Sequence, residues 1–428
     1  MTPAIQTEIR VQSETEAREQ SLNLTHIFKK MQAFPEEMRR PALVAAFDLG
    51  ASKWQAGLLS DRKKKSLTLT GCGLERQALD AIFLEMRRLV IKDTRDVVAC
   101  FEIGRNGLWL AEYLAVHGFS CVVLSPAVLC DGSRKPKTDR LDSEGLAIRL
   151  MRFFDGSLEA GHVHLPPPPE VQERRAILRR RADAVDERTR YRNKFKSVLA
   201  RNGVDYANLD VAEADVTQFR APLSRPLPSW EIDELRCLQR HVRLAEEDIA
   251  DADRKMLDIV KAIYEAQEAG KAVHRLDAML VKLFSLRGIG IQTAWTLVCE
   301  QYWRHFGNVR QVSAATGLVD IPRCSGSTSR GAGISRRSNH RLRGSLVELA
   351  WMWRRHQPES ALSKWFEERT AAGVSARRLK KVAIVAVARK LAVALWKYLE
   401  HDMLPEGAML KAGASGKTKS KAARAKSA

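Results

Sequence analysis

The chain has no cysteine pair at Cys-x-x-Cys spacing, no His-x-x-x-His partner for one, and no long uncharged apolar run. Its seven cysteines, at 72, 100, 121, 130, 237, 299 and 324, are scattered, which excludes a zinc finger and a disulfide framework. The most apolar late stretch, VAIVAVARKLAVALW, is broken by Arg389 and Lys390, so it cannot span a bilayer cheaply. The opening MTPAIQTEIRVQSETEAREQ lacks the basic and apolar regions of a signal peptide. A reduced, cytoplasmic protein with no membrane partner is expected. Acidic charge is also in deficit: 51 Asp plus Glu stand against 71 Lys plus Arg, a net charge of +20. That balance attracts polyanions and makes their binding salt-dependent, which points to nucleic acid. With 428 residues and 45% hydrophobic content, the chain can bury two or three cores without staples.

Four of the acids stand in telling places. Asp48 ends the apolar run LVAAFDLG, Glu102 ends VVACFEIG, and Asp139 and Asp142 lie together in KTDRLDSEGLAIRL. Such runs read as buried strands, and a carboxylate at the C-terminal end of one is carried to the rim of the sheet, where α/β folds place their sites. A helix starting near Asp139 shows both of its acids on one face. Converging carboxylates repel one another unless a cation neutralises them, and hard oxygen ligands suit Mg²⁺ or Mn²⁺.

Residues 1–40 are polar and aperiodic, a flexible arm with some helix. Across 41–165, strand-like runs at 43–48, 54–59, 66–72, 96–102 and 120–125 alternate with helical spacing in ERQALDAIFLEMRRLV and after Asn106. The first three runs are close enough to be antiparallel neighbours and the later ones are separated by helices. That order is the ribonuclease-H type of α/β domain. LPPPPE at 165–170 marks a boundary. In the next region, 170–270, an arginine-rich helix carries Arg174, Arg175, Arg179, Arg180, Arg181, Arg188, Arg190 and Arg192, with Gly203 as its stop. A second helix repeats apolar residues at Leu235, Leu238, Val242, Ala245, Ile249, Ala252, Met256, Ile259 and Ile263, a heptad seam. The seam packs either on its own hairpin partner or, as a coiled-coil arm, on another subunit. A mostly helical region, 276–405, opens with LFSLRGIGIQTAWTLVCE. Its Gly288 and Gly290 permit the turn of a helix-hairpin-helix, which either is purely structural or offers N–H groups to a DNA phosphate. The tail, 406–428, is low-complexity and basic, and disorder is expected.

A second chemical cluster lies in CSGSTSRGAGISRRSNHRLRGSL, residues 324–346. Glycines 326, 331 and 333 let backbone approach a ligand, and Arg330, Arg336, Arg337, Arg341 and Arg343 can fork onto phosphate oxygens. The loop either grips phosphate with serines as mere donors, or one serine attacks a phosphodiester.

The ordered set of Asp, Glu and Asp-x-x-Asp, an Arg-rich hairpin, Leu-x-Gly-Ile-Gly, Ser-Gly, Ile-Ser-Arg and Asn-x-x-Leu-Arg resembles the DEDD transposases of circular-intermediate insertion sequences. Better-studied members are bridge-RNA-guided recombinases. The resemblance spans about residues 41–400 and implies a RuvC-like first domain, with Asp48, Glu102, Asp139 and Asp142 holding metal. It also implies a C-terminal transposase domain whose serine links covalently to DNA. The motif aligns best with Cys324-Ser325-Gly326, making Ser325 the nucleophile, with Ser327, Ser329 and Ser335 nearby. Arg323 and Cys324 stand where the family often has an aromatic residue and serine, and the family's Gly-Leu-x-Pro is stretched to GLVDIP. The resemblance further implies DNA and a guide RNA as partners, a backbone-tracking role for the arginine helix, and a dimer or tetramer with composite sites.

Three other readings compete. FDLGASKWQAGLL fits the Asp-x-Gly phosphate loop of actin-like ATPases and sugar kinases, but the matching second phosphate loop and adenosine loop are missing. A RuvC-like junction endonuclease would use the same carboxylates and metal-activated water, with no serine. A noncatalytic nucleic-acid-binding protein would leave four carboxylates unexplained.

Overall fold

The structure is a computed structural model that describes residues 41–50, 53–60, 64–70, 84, 88, 97–102, 108–116, 119–124, 138–155, 163–164, 166–325, 328–334, 339–371 and 376–411. The expected N-terminal arm, most of the helix expected at 75–90, and the tail beyond 411 lie outside these residues. The chain forms two compact units, 1–167 and 168–428, divided inside the proline run.

The first unit is built on a mixed sheet. Strands β1 (Leu43–Leu49), β2 (Lys53–Leu59), β3 (Lys64–Thr70), β4 (Val97–Glu102), β5 (Ser120–Leu124) and β6 (Val163–His164) stand in the order β3-β2-β1-β4-β5-β6. The first three are antiparallel neighbours, as their short connections require, whereas β4 lies parallel to β1 and β5 parallel to β4. Parallel pairing needs a crossover, and helix α1 (Leu108–Val116) lies on the path from β4 to β5, whereas α2 (Asp139–Phe154) lies between β5 and its antiparallel neighbour β6. The central strands are apolar on both faces because both are covered. Leu43, Ala45 and Phe47 of β1 and Ala99 and Phe101 of β4 pack with Leu110, Ala111 and Leu114 of α1. On the other face, Val44, Ala46, Val98 and Cys100 meet Leu146, Ala147 and Leu150 of α2. Close approach of α2 depends on Gly57 of β2, where a Cβ would stand 3.0 Å from the Ser143 carbonyl. The outer strand β3 carries exposed Lys64 and Lys65, charges that discourage edge-to-edge association.

The second unit is mostly helical. Pro169 begins the long helix α3 (Pro169–Arg201), since a proline loses nothing at the first helical position. It ends at the expected glycine: Gly203 and Val204 donate back to the carbonyls of Ala200 and Leu199. A loop containing the short strands β7 (Arg220–Ala221) and β8 (Arg225–Pro226) leads to α4 (Ser229–Glu268). Ion pairs descend one helix as they climb the other, from Arg201–Glu231 through Arg192–Glu246 to Arg181–Asp253, so α3 and α4 form an antiparallel hairpin. The heptad seam is buried within the chain. Leu235, Leu238 and Val242 pack against Phe195, Val198 and Leu199 of α3, and Met256 and Ile263 join the larger core. Near its end, Val260 is fully buried while Ile259 is only partly so, because a straight helix follows 3.6 rather than 3.5 residues per turn.

Helices α5 (Arg275–Phe284), α6 (Ile291–Leu297), a π-helical turn (Val298–Tyr302), α7 (Val309–Ala315), the hairpin β9 (Asp320–Ser325) and β10 (Thr328–Ile334), α8 (His340–His356), α9 (Ala361–Thr370) and α10 (Ala376–His401) complete the unit. The regions 170–270 and 276–405 share one core, in which Val171 and Met256 lie with Trp295, Leu346 and Leu391. Among the described residues, no helix is long and apolar enough to cross a membrane.

Candidate functional site

In the first unit, strand register brings two of the four acids together. Phe47 is paired with Phe101, so the next residues, Asp48 and Glu102, stand at one level on adjacent parallel strands. Alternation puts both on the α2 face, in line with Val44, Ala46, Val98 and Cys100. Both are half-buried at the strand ends. The other two acids open α2, where the Thr138 hydroxyl caps the helix by accepting from Leu141 N. Asp139 is exposed and Asp142 half-buried. Acids in a first turn suit the positive end of the helix dipole. Lys53 of β2 places its ammonium 3.6 Å from the Asp139 carboxylate, a cation already standing against one of the four. Among the described residues, no three His, Cys, Asp or Glu side chains converge closely enough to hold an ion. Behind the acids, Lys64 meets the buried Glu144 at 2.5 Å, and this bond, with Arg140, holds the Glu144 carboxyl below its ordinary range despite burial.

In the second unit, Ser325 is the last residue of β9, and register pairs it with Thr328 across the connection 326–327. Ser327, Ser335, Arg336 and Arg337 lie outside the described residues, and of the Arg330 side chain nothing is described. The hairpin register shifts between Gly331 and Ile334, where Gly333 N donates to Asp320 Oδ1 at 2.7 Å. Asn339 then starts α8, accepting from Arg341 N and Leu342 N. Arg341 reaches Asp183 of α3 at 3.6 Å, and Arg343 donates its backbone N–H to Asn339.

The arginines of α3 divide into two groups. Arg174 pairs with Asp277, Arg180 with Asp251, and Arg181 with Asp253 at 2.7 Å. Arg175 donates to the Cys299 carbonyl at 2.9 Å and lies 3.5 Å from Glu300. Burial lowers the Arg175 pKa, and Glu300 opposes that shift. Among the described residues, Arg179 and Arg188 make no ion pair. Arg179 instead lines a cleft of about 380 Å³ with Asp186, Glu300, Arg341, Ser345 and Glu348.

Glu300 is the organising residue of this region that sequence reasoning missed. It is 7% exposed on the π-helical turn and accepts from Asn339 Nδ2 at 2.8 Å while facing Arg175. One carboxylate thus ties the basic helix to the residue that caps α8. π-turns recur at functional sites, and the available signal was an acid inside the apolar stretch TLVCEQYW. Nearby, burial takes the Arg304 guanidinium down to about 10.

The Gly-Ile-Gly turn is closed from within. Gly288 has φ +85°, and a Cβ there would lie 2.9 Å from that of His356. Ile289 is buried, its N–H donates to Leu286 O, and its carbonyl accepts from Lys411 Nζ at 2.9 Å. Gln357 bonds both the Arg287 and Met409 carbonyls at 2.8 Å. Gly290 is the N-cap of α6.

The family model for the IS116/IS110/IS902 transposases matches residues 281–364, from the end of α5 to the start of α9. A candidate transposase of Sinorhizobium fredii is 33% identical over 388 residues, covering 86% of this chain and 95% of that protein. The transposase for insertion sequence element IS1111A of Coxiella burnetii is 26% identical over 301 residues, 69% of this chain and 75% of its own length. The transposase for IS1328 of Yersinia enterocolitica is 24% identical over 292 residues, 67% and 79% of the two chains. Similarity of this degree along nearly a whole relative, with the family match seated on the very helices that carry the β9–β10 hairpin, makes this chain a member of the IS116/IS110/IS902 transposase family.

Proposed function

We propose that the chain cleaves and rejoins DNA at the ends of an insertion sequence, with the first unit supplying a metal-holding carboxylate set on a RuvC-like, ribonuclease-H-type sheet and Ser325 acting as nucleophile. The observation that carries this reading is the level placement of Asp48 and Glu102 on one face of β1 and β4, the face on which α2 brings Asp139 and Asp142. Their all-oxygen donor set suits Mg²⁺ or Mn²⁺. Lys53 beside Asp139 is consistent with a place where positive charge is wanted. Asp48 and Glu102 would supply neighbouring ligands and Asp139 and Asp142 the others. A divalent ion held there would stabilise charge on the transferring phosphoryl group.

Ser325 Oγ attacks the phosphorus of a phosphodiester, the P–O3′ bond breaks, and the serine proton ends on the departing 3′-hydroxyl. The phosphoserine ester keeps the bond energy, so a second 3′-hydroxyl reverses the step without ATP. Arginines of the 330–343 segment stabilise the phosphoryl charge in both directions. Target choice is left to an RNA that pairs with DNA, so the protein needs only backbone recognition. Tetrameric assembly belongs to the same reading.

Full-length protein, labelled element-end DNA, a candidate guide transcript and Mg²⁺ should yield a denaturation-resistant protein–DNA adduct mapping to residues 324–338. Ser325→Ala should lose the adduct yet bind DNA. Loss in Ser327→Ala or Ser335→Ala instead would move the nucleophile along the loop, and cleavage with no adduct would establish a water-using nuclease.

A further inference from the structure

The start of α10 is basic in a place where basic residues are unfavourable. Its first turn holds no acid, and Arg378, Lys380 and Lys381 follow, all exposed and, among the described residues, none in an ion pair. The N-terminal end of a helix carries the positive pole of its dipole, so cations there are repelled unless an anion is near. The same turns also overhang the core. The buried stripe of α10 begins only at Ala383 and Ile384 and continues through Val387, Ala388 and Leu391. From 378 to 382 only Leu379 is half-buried, and Val382 is 61% exposed. A solvated lysine face explains cations along one side of a packed helix. It does not explain cations on several sides of an uncovered helix end, of which Arg378 stands in the first turn, at the pole that repels it. On α3, by contrast, Arg174, Arg175, Arg180 and Arg181 are all answered by carboxylates.

We propose that the overhanging start of α10 is a docking surface for duplex DNA, with Arg378, Lys380 and Lys381 on backbone phosphates. This rests on the reading of the chain as a DNA-cleaving transposase and adds a contact surface outside the arginine-rich helix. A helix about 10–12 Å across matches a major groove about 12 Å wide. Contacts of this type fix register on the duplex without reading bases.

The test is a salt titration of duplex binding by the full-length protein, followed by fluorescence anisotropy. In the Arg378→Gln, Lys380→Gln, Lys381→Gln variant, the slope of log K against log salt should flatten by up to about 2.7, roughly 0.9 per phosphate contact. Affinity at the lowest salt should fall at least about tenfold. A second variant, Lys380→Glu with Lys381→Glu, reverses the charge at two exposed positions that make no ion pair among the described residues, so its melting temperature should hold while DNA affinity falls. The proposal is overturned if both α10 variants keep the wild-type slope. It is equally overturned if affinity drops only in step with melting temperature, or if a structured RNA loses affinity and DNA does not. In each of these cases wild-type DNA binding and cleavage would leave the catalytic reading standing. A wild-type protein that binds no DNA would remove both.

Discussion

Both units set carboxylates near cations, and they do so differently. In the sheet unit, Asp48 and Glu102 stand near the ends of adjacent strands, and Asp139 and Asp142 open the facing helix in exposed and half-buried positions. In the helical unit, Asp251, Asp253, Asp277 and Glu300 each answer an arginine of α3. Residue type alone does not distinguish a reactive site from a strut. What decides is geometry: acids matched one to one with guanidinium groups fix how two helices lie together, whereas the level placement of Asp48 and Glu102 on neighbouring strands is what the proposed metal-holding role rests on.

The widest separation between the two classes should appear in activity. Asp48→Ala or Glu102→Ala should reduce DNA cleavage on the order of 1,000-fold, the scale of losing a charge-stabilising group, with little change in melting temperature or DNA affinity. An Asp48→Ala protein that cleaves normally in Mg²⁺, or one that unfolds, would put Asp48 among the structural acids and erase the contrast.

Glu300 should behave in the opposite way for stability. Glu300→Ala leaves the Arg175 guanidinium, whose side chain is 16% exposed, without its carboxylate and removes the Asn339 bond. The cost should be about 3 kcal/mol by urea unfolding. Glu300→Gln retains a side-chain oxygen for Asn339 and should recover part of that loss. Equal stability of the alanine variant and wild type would show that the Glu300 bonds add nothing to how α3 and α8 are held.

The smallest effect concerns acid pH. Bonds from Lys255 and Arg180 hold the Asp251 carboxyl below its ordinary 3.8. For Asp253, burial pushes upward and is outweighed by the Arg181 and Gln292 bonds, so it too lies below 3.8. Carboxyls depressed by folding stabilise the native state above their unfolded pKa, and that contribution disappears as pH falls through the folded value. Thermal stability of the isolated protein should therefore decline below about pH 4, and Asp251→Asn with Asp253→Asn should flatten that decline. A decline of unchanged steepness would assign it to other carboxyls, Glu144 among them.

Much of this was legible in the residues. The five apolar runs became β1 to β5 because each is too short for a buried helix and is bounded by turn-forming or polar segments. Close spacing dictated the antiparallel trio. Other features had no local signal. Arg174 and Asp277, or Glu300 and Asn339, meet only because helices far apart in the chain pack together. The seam from Leu235 to Ile263 reads identically whether its partner is α3 or another subunit, since a heptad specifies a face and not its occupant.

By itself, then, the amino-acid sequence determined the local elements, the strand ends that carry acids, and membership of a transposase family through an ordered set of motifs. Periodicity, glycine and proline act over a few residues, which is why they can be read in line. Only tertiary structure decided which charges are answered: a basic run looks alike on α3 and α10, but in one place α4, α5 and the π-turn supply carboxylates, and in the other the helix extends past its core with none among the described residues. Coulomb energy depends on separation in space, and separation along the chain does not fix it.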